Sequence, residues 1–293
     1  MFRKTAKMLG VLILSVVVSL PALSQEMVQV RGSDTMVNVV QRMAEVYMQN
    51  NPGRYIAVTG GGSGTGIAAI TNKTVDIANA SRDIRQQEII RARNSGVEPT
   101  RVVIGMDCIT VVVNGDNNVD RLTVAQLGAI FRGEITNWKD VGGADMPITL
   151  YGRQSNSGTF VFFRDVVLKG DYSDRMNRMN GTSQIVEAVR ADRTGIGYIG
   201  LGHARAARGL RVVRLALREG GEYADPTNPA HIAEGKYPII RTLNQYIDGM
   251  PEGRIKDFLS FEVSPEGQKI MSEMGFVPIP SEYVEYNRTN AGV

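Results

Sequence analysis

YGRQSNSGTFVFF, residues 151–163, is the stretch on which the reading turns. The apolar segment Ile148-Thr149-Leu150-Tyr151 has the pattern of a strand and runs into Gly152 and Arg153. Small hydrogen-bonding residues follow from Ser155 to Thr159, and a second apolar run opens at Phe160 and continues towards Leu168. This is the grammar of a strand, a tight turn and a helix. Read outward, the same passage recurs. MVQVRG (27–32) alternates as a short strand, and GSDT (32–35) follows it. Met36, Val39, Val40, Met43, Val46 and Tyr47 then fall at helical spacing, until Asn50-Asn51-Pro52-Gly53 ends the helix. RYIAVTG (54–60) reads as a strand, GGGSGTG (60–66) as a turn, Ile67 and Ile70 as a short helix, and VDIANAS (75–81) as a strand. A β-α-β-α-β order argues an α/β fold, a mixed and mostly parallel sheet with helices on its faces.

The middle of the chain repeats this logic. RVVIGMDCITVVVN (101–114) is a long β-rich run, and TVAQLGAIF (123–131) begins a helix in which Thr123 and Gln126 fit a capping box. SQIVEAVRADRTG (183–195) reads as a helix and IGYIG (196–200) as a strand. Later, KYPIIRTLNQYI (236–247) is extended, and a final helix takes Ser264 as N-cap, Pro265 at N1 and Gly275 as terminator. At 293 residues the chain is long enough for two cores. The expected organisation is two α/β lobes, residues 25–109 with 238–293 and residues 110–237, joined by two crossing strands at GMDCI (105–109) and KYPII (236–240).

Residues 1–24 form a separate unit. Arg3, Lys4 and Lys7 precede the apolar run Met8–Leu20, and Ala22-Leu23-Ser24 offers a small-residue cleavage site, the pattern of a secretory signal peptide. The formal charge of the whole chain is +3, and those three cations supply it, so the chain from Gln25 onward is formally neutral. Neutrality removes the case for a nucleic-acid partner or a membrane surface. A single cysteine, Cys108, excludes an internal disulfide and reads as a buried structural thiol. Two histidines, His203 and His231, make no His/Cys metal constellation, and no cofactor is implied.

Three turns share one chemistry. Gly32, Ser33, Asp34 and Thr35; Ser63, Gly64, Thr65 and Gly66; and Ser157, Gly158 and Thr159 each follow a strand pattern and open a helix pattern. The first N–H groups of a helix lack intrahelical acceptors, and the positive end of the dipole lies there. Any one such turn is simply a capped helix. Three of them, with Arg153 beside one and Ser81-Arg82 at the end of the 75–81 strand, point to a small oxyanion. Arg153 offers a planar fork that fits two oxygens of a tetrahedral anion. GTGIAA (64–69) matches G-x-G-x-x-A, but it follows the second strand rather than the first. Neither a G-x-x-x-x-G-K-[ST] nor a G-x-S-x-G pattern occurs, which argues against a nucleotide phosphotransferase and a serine hydrolase.

GSDTM, GGGSGTG, DIANASR, R-Q-S-N-S-G-T and GIGYIG, in this order, resemble the phosphate-binding proteins of the high-affinity phosphate ABC transporter, which have the two-lobed type II periplasmic architecture. The resemblance spans the chain after the leader. It implies a non-catalytic, periplasmic, monomeric receptor that closes over inorganic phosphate and docks on an ABC transporter permease. It implies anion donors at Thr35, at Met36 through its backbone, and at Ser63, Arg153, Ser157, Gly158 and Thr159, and Ser81 and Arg82 match a variant seen in related members; the loops themselves add Ser33, Asp34, Gly64, Thr65 and Ser155 as candidate ligand-binding residues. One departure stands out. The family pattern R-x-D-G-S-G-T carries an aspartate where this chain has Ser155, and another aspartate near the position of Arg82. A carboxylate there accepts the proton of phosphate and repels fully ionised sulfate. Asp34 and Asp107 are the candidates to replace it, and a receptor for sulfate or another tetrahedral oxyanion is the competing reading. A secreted phosphate-ester hydrolase and an adhesion protein are the others.

Overall fold

The computed structural model of the protein describes residues 27–293, so the signal-peptide segment lies outside the described residues. Strand β1 (Val28–Gly32), helix α1 (Val37–Asn50), β2 (Ile56–Thr59), α2 (Ser63–Thr71), β3 (Ile77–Ala80) and α3 (Gln86–Asn94) form the opening β-α series. β1 pairs in parallel with β2 on one side and β3 on the other. The apolar spacing of α1 does what it predicts. Val39, Val40, Met43 and Tyr47 are buried against this sheet's core, while Gln41, Arg42 and Glu45 face outward.

β4 (Pro99–Asn114) is a single strand of 16 residues. After it come β5 (Arg121–Thr123), α4 (Val124–Arg132), β6 (Thr149–Arg153), α5 (Gly158–Phe163), β7 (Asn177–Met179), α6 (Thr182–Ala191), β8 (Gly195–Gly200), α7 (Leu201–Ala206), β9 (Leu210–Ala216) and α8 (Pro229–Ala233). The chain then returns through β10 (Ile240–Asp248) to α9 (Gly253–Val263), α10 (Pro265–Glu273) and α11 (Ser281–Ala291). Residues 99–108 of β4 pair antiparallel with β10, while residues 109–114 pair antiparallel with β8 and β9. One strand therefore belongs to two sheets, ordered β2-β1-β3-β10-β4 and β7-β6-β8-β4-β9-β5. Each has its own core. Val30, Met43, Ile104, Leu243 and Phe258 fill the first; Val113, Phe131, Trp138, Phe163 and Tyr198 fill the second, where the Phe163 and Tyr198 rings stack with centroids 4.1 Å apart. The chain thus forms two lobes, each with its own sheet and core, as the α/β two-lobed expectation requires.

The two crossings lie side by side. Cys108 faces Ile240 and Asp107 faces Arg241 across the ladder, and Ile109 N donates to Ile239 O at 2.9 Å. Cys108 is fully buried, and burial pushes its thiol well above the ordinary range, as a structural thiol requires. Local signals hold where they were strongest. Gln126 N donates to Thr123 Oγ1 at 3.1 Å and Thr123 N donates back to Gln126 Oε1 at 2.9 Å, closing the capping box of α4. Ser264 Oγ accepts from Gly267 N at 3.3 Å, with Pro265 at the head of α10. That helix is not the last, however. α11 follows it, and its Asn287 Oδ1 accepts from Val103 N at 2.9 Å. The segment Gly253–Val263 is helix α9, and Arg164–Leu168 extends α5 as a wide π turn.

A buried polar column runs beneath the first sheet. Gln245 Nε2 donates to Asn79 Oδ1 at 3.0 Å and to Glu262 Oε1 at 3.1 Å, and the buried Glu262 Oε2 has no partner among the described residues. Burial raises the Glu262 carboxyl well above its ordinary value, and the Gln245 hydrogen bond offsets this only in part. The folded protein thus keeps a proton that the unfolded chain releases. The stability this confers is complete below the unfolded carboxyl's range and is lost as pH rises towards the folded value. Glu262→Gln, which keeps the shape without ionising, should raise stability at about pH 8 by roughly 1–3 kcal/mol and leave it nearly unchanged at about pH 4. Urea midpoints at the two pH values measure this, and an equal shift at both would assign the effect to packing instead.

Candidate anion site

The sites of interest gather where the sheets meet. Parallel strands present their carboxyl ends on one side, so the turns after β1, β3 and β6 face a common crevice. β1 delivers Ser33 to Met36, β2 delivers Gly60 to Ser63, β3 delivers Ser81, and β6 delivers Arg153 to Thr159. Ser33, Thr35, Ser63, Ser81, Arg153, Ser157 and Thr159 are all buried, an unusual fate for seven polar side chains.

Their hydrogen bonds link the turns within each lobe, and one crosses between the lobes. Thr35 Oγ1 and Thr159 Oγ1 lie 3.1 Å apart. Ser33 Oγ donates to Ser81 Oγ at 2.8 Å, and Ser81 N donates to Ser63 Oγ at 3.0 Å. Ser157 caps α5, its Oγ accepting from Phe160 N at 3.4 Å. Asn156 bridges as well: its carbonyl accepts from Gly64 N and its Nδ2 donates to Gly61 O, both at 2.9 Å. Gly62 supports this approach at φ +92°, where a Cβ would stand 2.8 Å from Asn156 O. Gly158 is tighter still. A Cβ on it would lie 2.3 Å from Ser63 Oγ and 2.8 Å from Ser81 Oγ.

Arg153 is 1 % exposed, so its charge has to be met inside the protein. Nη2 donates to Asp34 Oδ2 and, at 2.8 Å, to Asn180 O; Nη1 donates to Thr182 Oγ1 at 3.1 Å. Among the described residues its Nε, which is buried, has no partner. Asp34 lies in the first lobe and Arg153 in the second, so this ion pair is a clasp between them, and Asp34 Oδ1 also accepts from Gly61 N at 3.0 Å. The cluster therefore contains a guanidinium with a spare donor, hydroxyls from both lobes and the first turns of two helices. That arrangement suits a small oxyanion.

A family model described as a PBP superfamily domain matches residues 19–266. The chain belongs to this superfamily. It is similar to the phosphate-binding protein PstS of Pseudomonas aeruginosa, at 30 % identity over 87 % of this chain and 83 % of that one. The corresponding protein of Bacillus subtilis is 32 % identical, over 85 % of this chain and 80 % of the relative. Among solved structures, a phosphate ABC transporter substrate-binding protein with bound phosphate from Clostridium perfringens superposes with a TM-score of 0.77 at 26 % identity, covering 87 % of this chain and all of the other.

Within this PBP superfamily member some sequence candidates stand apart from the cluster. Arg82 is buried, and its two terminal nitrogens are engaged by Glu88 in a two-pronged ion pair, 2.7 Å on each prong, while its Nε has no partner among the described residues. Burial works against the Glu88 charge, yet the Arg82 hydrogen bonds prevail and hold its carboxyl below the ordinary range. Asp83 lends Arg82 only its backbone carbonyl, while its carboxylate pairs with Arg101. Ser155 is exposed in the turn. Thr65 Oγ1 donates to Gly61 O at 2.7 Å within its own loop, Gly64 N is committed to Asn156, and Met36 N donates to Ser33 O at 3.0 Å.

One residue of the cluster escaped the sequence reading. Arg241, at the start of β10, is 4 % exposed and pairs with the fully buried Asp107 at 2.7 Å. The signal was present as a lone arginine inside the apolar run YPIIRTL, opposite an aspartate inside GMDCI. Thr182 and Asn180, which hold Arg153, carried no such signal.

The Gly158 contact yields a test. Gly158→Ala is compatible with the helical backbone but sets a methyl group against Ser63 and Ser81. It should leave both cores folded and hold the lobes apart, seen as a larger radius of gyration in small-angle scattering than the parent protein. An unchanged radius would mean that the two serines can yield.

Proposed function

We propose that this chain is a periplasmic solute-binding receptor that captures inorganic phosphate between two lobes and delivers it to an ABC transporter. The reading rests above all on Arg153, a buried arginine whose Nε has no partner among the described residues, clasped to Asp34 of the first lobe and followed in its own turn by the buried Ser157 and Thr159. The likeness to PstS proteins and to a phosphate-bound substrate-binding protein supports the same ligand. In this reading Thr35, Ser63, Ser81, Arg153, Ser157 and Thr159 hold the anion, with the backbone N–H of Gly158. The lobes are residues 25–109 with 238–293 and residues 110–237. The protein acts as a monomer, performs no chemistry on its ligand and leaves it to the permease. Among the described residues no helix is long and apolar enough to cross a membrane.

A second reading, a receptor for sulfate or another tetrahedral oxyanion, is favoured by a specific observation. Both carboxylates that could replace the missing aspartate are already engaged, Asp34 by Arg153 and Asp107 by Arg241. Ser155 lies outside the buried cluster. Calorimetric titration of the anion-stripped protein with phosphate and separately with sulfate decides between them. One-to-one phosphate binding with no sulfate response is expected, and equal sulfate binding would overturn the phosphate reading.

Two variants extend the test. Arg153→Met should weaken phosphate binding at least 100-fold, because a desolvated guanidinium contributes several kcal/mol to holding an anion. Asp34→Asn keeps the contact to Gly61 but removes the charge, and should move the phosphate-to-sulfate affinity ratio about tenfold towards sulfate. An unchanged ratio would show that Asp34 does not read the phosphate proton.

A further inference from the structure

The Asp107–Arg241 pair lies directly behind the anion cluster, and its contacts are specific. Arg241 Nε and Nη2 both donate to Asp107 Oδ2, at 3.1 and 2.7 Å, and Nη1 donates to Ser81 O at 2.9 Å. With one Nη2 proton on Asp107, the other is shared between Thr35 Oγ1 at 3.2 Å and Thr159 Oγ1 at 3.1 Å. Asp107 is held in turn by Leu201 N, which donates to its Oδ1 at 3.0 Å. Arg241 is thus hydrogen-bonded to one threonine of each lobe and to the strand-end carbonyl of a third loop.

A threonine hydroxyl has one proton to give and two lone pairs to receive. Arginine has only donors. Once Arg241 donates to both oxygens, each has a lone pair occupied, and its own proton has to go to another acceptor. Between the two threonines at most one proton is used, since a single O–H bridges them. At least one hydroxyl proton is left to turn towards an anion, and both turn once the anion supplies two acceptor oxygens. The bonds to Thr35 and Thr159 also coexist only while the lobes are together.

We propose that Arg241 is a positioning residue for the anion: anchored by Asp107, it orients the hydroxyls of Thr35 and Thr159 as donors and latches them to one another when the lobes close. The proposal rests on the phosphate-receptor reading and adds a part to it. Arg241 holds the ligand through two other side chains, and its own charge is balanced by Asp107.

The test is stopped-flow and calorimetric phosphate binding to the mature protein and four variants. Arg241→Lys keeps a charge for Asp107 but cannot fork to Ser81 and both threonines. It should weaken phosphate binding about 30-fold or more, chiefly through faster dissociation. The paired variant Asp107→Asn with Arg241→Gln removes both charges together, so no unpaired charge is buried, and it should show the same loss. Thr159→Val in the parent should weaken binding, and in the Arg241→Lys background it should cost at least fivefold less, because the two act as one unit. Additive losses, or a lower melting temperature with unchanged phosphate dissociation, would reduce Arg241 to a structural ion pair. No phosphate binding by the parent protein would instead overturn the receptor reading itself.

Discussion

Two opposite charges buried at one rung of one ladder constrain the rest of this molecule. Asp107 and Arg241 are cross-strand partners on β4 and β10, and together they expose almost no surface. An isolated charge at such depth costs several kcal/mol, so each side chain requires the other on the same face of the sheet. A slip of one residue would send one of the two to the opposite face. The pair therefore pins the register of the two crossings. From that rung β4 runs on to β8 and β9, and β10 runs on to β3, so the placement of both sheets is referred to it. The loops after β1, β3 and β6 converge on the same level, which is why Arg241 reaches Thr35, Ser81 and Thr159 at once.

Much of the fold can be read from the chain because its signals are local. The helical spacing of Val39, Val40, Met43 and Tyr47 and the Thr123/Gln126 box lie within a few residues of each other, and the structure forms them as the pattern demands. What escaped was decided at longer range. Helix α11 is polar along most of its length, and docks through Asn287 on the backbone of Val103, a contact 184 residues distant in sequence. Helix α3 reads as a charged run, and it is tied down by Glu88 meeting Arg82 as well as by its own first turn. The crossing at GMDCI was legible as well, since the apolar run 101–114 is too long for one sheet, and β4 does serve two.

The site was legible in its loops and obscure in its charges. Gly-rich turns with serine and threonine announce themselves; Thr35 and Thr159 lie within hydrogen-bond distance, as do Ser33, Ser63 and Ser81 in turn. Which arginine accompanies them was not decidable from neighbours in the chain. Arg82 adjoins Ser81, yet Glu88 turns it away; Arg241 is remote, yet Asp107 brings it in. A guanidinium follows the nearest carboxylate it can bury with, and that partner is a tertiary fact. The same holds for Asp34, whose short side chain reaches Arg153 only because the two lobes are in contact.

The adjacency of the crossings also sets how the protein can move. β4 and β10 pass between the lobes as hydrogen-bonded neighbours, tied at Cys108 opposite Ile240 and by Ile109 N to Ile239 O. Two separate tethers would let the lobes twist, slide and shear. A two-stranded ribbon is stiff within its own plane and compliant only across it. The lobes are thus held as on a leaf spring, with one soft direction. A small angular displacement at this flexure becomes a large separation at the outer rim but hardly disturbs the Asp107–Arg241 rung, which lies on the ribbon itself.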